Sequence, residues 1–476
     1  MEKVARGLTI RVRADSNSWE PSMSTKPPRT HSRVPGGRIE RLSRISWMAG
    51  GALVGGAAES VRRLVNPPDT DASAFLTGAN AKWLASQLAS MRGAAMKVGQ
   101  LLSLEGDDFL PKEVADAFAV LRDDADAMPE SQLRQALVEA YGEDWERHFD
   151  DFDFEPVAAA SIGQVHRVHT QDGRDIALKI QYPGVRQSID SDVDNLATVL
   201  RLARLMPPAI DLDDWIGLAK EQLQDESDYL READCLEQYR ELMADEPDVT
   251  VPGVHRDLTT QTILAMDYLE GLPLEDLCGP DHESADRDRM GELLLRLLMK
   301  ELFEIRFTQS DPNFANFLLL PGGRIGLIDL GAAHAVPLPL ARGYASICRA
   351  ASDDDRQGLQ EAAETLGFLQ GDEDEALIDA FVHILAMASE PFRSEGPYDF
   401  GATDLPRRAR EASMTLAFER GITGAPPPEA LFIQRKLGGV FLLCTKLRAR
   451  VDVRALAAPY LAAHASLLER PDEKAR

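Results

Sequence analysis

The apolar residues Leu84, Leu88, Met91, Ala95, Val98 and Leu102 recur at intervals of four, three, four, three and four. That is the period of a helix with one buried stripe. Helical patterns fill residues 72–148 and end near YGEDWERHFDDFDFEP, after which the period changes. From Ala158 to Gln181, AAASIGQVHRVHTQDGRDIALKIQ reads as two short β-rich runs joined at Gln171-Asp172-Gly173, a hairpin signal. Helices are expected over residues 186–204 and 213–244, and strand-like text returns at TILAMDYLEG. A long helix over residues 287–307 leads into TQSDPNFANFLLLPGGRIGLIDLGAAHAV, with two strands around Pro321-Gly322-Gly323. Everything after residue 338 is expected to be helical, and no internal repeat is present.

With 476 residues and 44% hydrophobic content, the chain can bury a large core in two or three units. Its 78 acidic against 52 basic residues give a net charge of −26, which argues against a nucleic-acid partner whose phosphates must be neutralised. Residues 1–66 reverse the balance, with twelve Lys/Arg against five Asp/Glu; such a basic front can meet anionic lipid or serve as a tail. Residues 1–37, rich in Pro, Ser, Arg and Gly, read as a disordered or processed leader. Arg38, Arg41 and Arg44 then repeat at helical spacing before MAGGALVGGAA at Met48–Ala58, a run too short to span a bilayer. Cys235, Cys278, Cys348 and Cys444 show no CxxC spacing and fit a reducing compartment rather than a disulfide framework or zinc site.

Three stretches carry chemistry. Ala158, Ala160, Gly163 and Val165 keep the spacing of the kinase phosphate loop GxGxxGxV with its first two glycines replaced, and Lys179 follows fourteen residues after Val165 in a strand-like run. DPNFAN sets Asp311 five residues before Asn316, the DxxxxN spacing, and IDLG sets Asp329 where DFG would stand. Phosphoryl chemistry needs such a set: a carboxylate to orient the incoming hydroxyl or water, and oxygen ligands for magnesium bridging the phosphates. Lys97 and Gln100 lie three apart beside the apolar stripe, where they are either a solvated flank or partners of a buried group.

Taken together, these stretches resemble the UbiB family of atypical kinase-like proteins, the AarF/ADCK group linked to coenzyme Q biosynthesis. KVGQ looks like its KxGQ motif, AAASIGQV like its alanine-rich loop, ALKIQYPGV like its strand lysine and ESDYLREAD like its ExD motif. QSDPNFANF, LIDLGA and RKLGGVFLLCTKL resemble the branch of the mitochondrial coenzyme Q kinase-like proteins. The resemblance implies an α+β fold: a bilobal protein-kinase-like body with a small β-rich N-lobe over residues 151–270, a helical C-lobe over residues 271–470 and a helical KxGQ extension over residues 38–150.

It implies Lys179 as the phosphate-binding lysine, Glu232 as its ion-pair partner, Asp311 as the catalytic aspartate, and Asn316 and Asp329 as magnesium ligands. Ala158, Ala159, Ala160, Ser161, Gly163, Val165, Met266 and Leu269 would line the nucleotide, ATP or ADP. Lys97 and Gln100 would cross the cleft, with Lys97 meeting the ExD carboxylates Glu226 and Asp228. Gln309-Ser310 in place of His-Arg, and Leu330 in place of Phe, point to a slow ATPase rather than a kinase acting on proteins in trans. A nucleotide-sensing, lipid-binding scaffold or chaperone is the alternative. Implied partners are lipid or quinone-pathway enzymes and a peripheral membrane contact, with a homodimer allowed. The implied location is cytoplasmic at a bacterial inner membrane, or the matrix face of a mitochondrial one.

Overall fold

The computed structural model describes residues 127–202, 212–370, 373–420 and 428–468, and a two-residue strand pair joining Thr9–Ile10 to Pro21–Ser22. The Lys97 and Gln100 stretch lies outside the described residues.

The first lobe opens with helix α1 (Glu130–Tyr141) and an antiparallel sheet of β1 (Phe149–Phe152), β2 (Ala158–Ala159), β3 (Gly163–Thr170) and β4 (Asp175–Gln181). Helices α2 (Val185–Leu202), α3 (Leu212–Glu226) and α4 (Tyr229–Leu242) follow, then β5 (Val249–Thr250) and β6 (Ile263–Asp267). The sheet order is β1-β3-β4-β6, with β2 pairing β3. The β3–β4 turn falls at the expected hairpin, where Gly173 adopts φ 86°, a left-handed conformation that costs glycine little.

Strand β4 is buried almost throughout because both its faces are covered. Alternate side chains point to opposite faces of a strand. Ile176, Leu178 and Ile180 pack with Leu133 and Leu137 of α1, whereas Ala177 joins the larger core containing Tyr229, Ala233 and Leu236 of α4. Lys179 is two residues from Ala177, so the same alternation aims its amine at α4.

The second lobe runs through β7 (Leu272–Pro273), α5 (Ser284–Phe303), β8 (Phe307–Gln309), β9 (Phe317–Leu320), β10 (Arg324–Leu327) and β11 (Ala333–Ala335). Helices α6 (Leu338–Ser352), α7 (Arg356–Thr365), α8 (Glu375–Ala388), α9 (Leu405–Arg420), α10 (Pro428–Leu447) and α11 (Val453–Leu468) complete it. Strands β8 and β11 pair antiparallel, with Gln309 opposite Ala333, so the segments around Asp311 and Asp329 leave one narrow ladder together.

Three boundaries differ from the sequence reading. The helix expected over residues 213–244 is two helices, because Asp228 leaves helical geometry to cap α4, its side chain accepting from the Arg231 amide. The long helix stops at Phe303, and Arg306 takes φ 51° before β8 begins. The region after residue 338 is not wholly helical, since Tyr398–Asp399 pairs antiparallel with Arg450–Val451. Among the described residues no helix is long and apolar enough to cross a membrane.

Candidate active site

The centre of the site is one ammonium between two carboxylates. The Lys179 Nζ donates to Glu232 Oε1 at 2.8 Å and Oε2 at 3.0 Å, and to Asp329 Oδ2 at 2.8 Å. It also lies 5.3 Å from the centre of the Tyr229 ring, a cation–π contact. Burial alone would pull the Lys179 ammonium down, but Asp329 and Glu232 outweigh it and hold the amine well above its ordinary value. Burial pushes the Glu232 carboxyl up to about 7, against the pull of Lys179. Asp329 is the open member of the trio, its side chain 32% exposed where that of Glu232 is fully buried. Its other oxygen, Oδ1, accepts from the Gly331 amide at 3.0 Å. Arg231 of α4 fixes this segment further, donating to the carbonyls of Gly331 at 2.7 Å and Ala333 at 2.9 Å.

Above the trio, Ala158 and Ala159 form the exposed β2 and pair with Val165 and Gln164. The turn closes where the Ala160 amide donates to the Gly163 carbonyl at 2.9 Å. Gly163 is required on steric grounds, since a Cβ there would lie 2.3 Å from the Ile180 carbonyl oxygen. Ser161 Oγ donates to Glu226 Oε2 at 3.1 Å, tying the alanine loop to the end of α3. The two ExD carboxylates therefore part company. Glu226 lies against the loop, while Asp228 caps α4 and also accepts from Arg186 at 3.4 Å. Met266 is buried in the core on β6, and the Leu269 side chain lies over Gly326 of β10.

The loop after β8 is held by its own side chains. Gln309 Nε2 and Asn316 Nδ2 both donate to the Asp311 carbonyl, at 2.6 and 2.7 Å. Ser310 Oγ donates to the Ala332 carbonyl at 2.8 Å. The Asp311 carboxylate accepts from Arg435 Nη2 at 2.7 Å, and the other terminal nitrogen of Arg435 donates to Gln222 Oε1 of α3. One turn later on α10, Gly439 meets Pro312, so closely that a Cβ would sit 2.0 Å from Pro312 Cγ. Sequence reasoning gave Arg435, Gln222 and Tyr229 no individual role. The available signal was two adjacent cations, Arg435 and Lys436, inside the apolar run LFIQRKLGGVFLLC.

This arrangement fits magnesium with a nucleotide. Magnesium prefers oxygen ligands, takes one or two from protein and shares the rest with phosphate and water. Asp329 offers a partly exposed carboxylate, and Asn316, its amide nitrogen committed to the Asp311 carbonyl, retains its side-chain oxygen. Lys179 would meet phosphate oxygens beside them. A magnesium ion held there would supply charge neutralisation on the phosphates of the nucleotide.

A β-rich lobe carrying the Lys179–Glu232 pair, over a helical lobe carrying Asp311, Asn316 and Asp329, defines an atypical kinase-like enzyme. Residues 120–363 match the ABC1 atypical kinase-like domain. The chain belongs to that family, the UbiB proteins, and within it to the COQ8 branch. It is 37% identical over 428 residues to the mitochondrial atypical kinase COQ8B of Rattus norvegicus, covering 89% of this chain and 80% of that one. It is 35% identical over 433 residues to the mitochondrial atypical kinase COQ8 of Saccharomyces cerevisiae, covering 89% and 85%. A solved structure of Rv3197 from Mycobacterium tuberculosis, in complex with erythromycin, is similar at 26% identity and a TM-score of 0.55 over 81% of this chain and 96% of that one.

Proposed function

We propose that this chain is a magnesium-dependent, ATP-binding atypical kinase or ATPase that supports coenzyme Q biosynthesis at a membrane surface. The observation that carries the reading is Lys179 locked between Glu232 and Asp329. A lysine so placed is oriented for phosphate before any nucleotide arrives, and orientation plus charge stabilisation is most of what phosphoryl transfer asks of a protein. Asp311 would orient the attacking hydroxyl or water, with Asn316 and Asp329 holding the cation.

The Arg435 contact favours a slow reaction, because Asp311 must relinquish a charged hydrogen bond to engage a substrate. The names of the COQ8 relatives support the coenzyme Q assignment, and their mitochondrial labels support the mitochondrial alternative for its location. Lipid or a quinone-pathway enzyme is the partner this reading requires. The test is ATP turnover by the purified chain with magnesium, with and without anionic liposomes and a phenolic quinone-precursor mimic. Turnover that requires magnesium and rises with both additions is expected. Turnover no higher than that of Lys179→Met under every condition would refute the proposal.

A further inference from the structure

Behind the site lies a second buried charge cluster, none of whose members touches the proposed nucleotide position. Glu301 of α5 is fully buried. Its Oε1 accepts from the Tyr239 hydroxyl at 2.6 Å, and its Oε2 accepts from Thr308 Oγ1 at 3.1 Å and from Lys436 Nζ at 2.7 Å. Tyr239, Thr308 and Lys436 are each no more than 1% exposed. Each donor comes from a different element, and each of those elements carries part of the site. Tyr239 is seven residues after Glu232 on α4, two turns along the same face. Thr308 is three residues before Asp311, and Lys436 is the neighbour of Arg435, which holds the Asp311 carboxylate.

A buried ion pair is a poor route to stability, because desolvation consumes most of the attraction and an apolar pair of similar volume would serve as well. What a carboxylate offers that leucine cannot is direction: three donors must converge on it, which sets the axial position and roll of the elements bearing them. We infer that Glu301 is a positioning hub, tying α4, the strand before the catalytic loop and α10 so that Glu232 and Asp311 are held in register with one another. Tyr239, Lys436 and Thr308 are positioning residues of the same hub. Pinned at Tyr239 and again at Lys179, α4 cannot slide without breaking one tie.

The test uses Tyr239→Phe, which deletes one hydroxyl and keeps the ring, in the full chain. Its control is Val382→Ala, a core truncation on α8. Amide hydrogen exchange across Tyr229–Leu236 should rise about tenfold over the control, the worth of one hydrogen bond to a charged group. Magnesium-ATP affinity should fall by a similar factor, and that loss should vanish when Tyr239→Phe is placed in a Glu232→Gln background. The affinity arm rests on the nucleotide site proposed above. If the parent binds no magnesium-ATP, that proposal fails and the exchange comparison alone decides the hub. Exchange across Tyr229–Leu236 no faster than in Val382→Ala, or an equal affinity loss in both Glu232 backgrounds, overturns the inference.

Discussion

Two adjacent glycines on α10 should respond to alanine with opposite signs. At Gly439 the added Cβ would lie 2.0 Å from Pro312 Cγ and 3.0 Å from its Cβ, whereas ordinary contact begins at 3.4 Å. The helix and the catalytic loop must therefore separate by about 1.4 Å, and a shift of that size along the same direction lengthens the Arg435–Asp311 bond to about 4 Å, beyond hydrogen-bond range. Overpacking costs about 1–3 kcal/mol and the charged hydrogen bond about 1.5–3 kcal/mol. Improved helix propensity returns about 1 kcal/mol, leaving Gly439→Ala destabilised by about 1.5–5 kcal/mol. At Gly438 nothing lies within 4 Å of the added Cβ, so Gly438→Ala should stabilise by about 0.5–1 kcal/mol. Urea unfolding followed by circular dichroism measures both. A stabilised Gly439→Ala, or equal losses in the two variants, would refute the packing of α10 on the catalytic loop.

Two further outcomes follow from the site, and a third from the KxGQ resemblance. Glu232 is raised from 4.5 to about 7 in the folded protein, so its contribution to stability is full below its unfolded value and is lost as pH rises through about 7. The stability of Glu232→Gln relative to the parent, measured by urea unfolding, should therefore rise between pH 5 and pH 8, and a flat difference would contradict the assignment. Ala158→Gly, at an exposed position on β2, removes a Cβ where backbone must approach phosphate. It should shift preference from ADP towards ATP in competitive binding; an unchanged ratio would count against it. The resemblance to the KxGQ motif implies that Lys97, outside the described residues, crosses the cleft, and on that reading Lys97→Ala should expose the catalytic loop and give autophosphorylation that is abolished by adding Asp311→Asn. A purified mutant without that gain would return Lys97 to a solvated flank.

Lys179, Glu232 and Asp329 were legible because each sits in a short motif, although only for Lys179 was the local element legible too. A hairpin turn sets the β4 register, but the Asx cap that starts α4 and the return of β11 beside β8 appear only in the structure. The ties holding them were not legible. Arg435 is 124 residues from Asp311, and no local pattern connects positions so far apart when packing alone brings them together. The adjacent cations Arg435 and Lys436 did announce a burial problem, since an apolar helix cannot solvate both, but not which carboxylates resolve it. The break at Ser227-Asp228 was missed because apolar spacing runs through it; the deciding feature is one side chain accepting from the Arg231 amide. The Tyr398–Asp399 and Arg450–Val451 pair was missed because two residues are too few to show alternation.

Lys179, Asn316 and Asp329 should together hold magnesium-ATP, and titration calorimetry of ATP into the parent and into Asp329→Asn, with magnesium and with chelator, measures this. One-to-one binding by the parent that requires magnesium is expected, with a loss of at least about tenfold in affinity in Asp329→Asn, because a charged oxygen ligand is removed from the bridging cation. Equal affinity in parent and variant, or parent binding indifferent to magnesium, would contradict it.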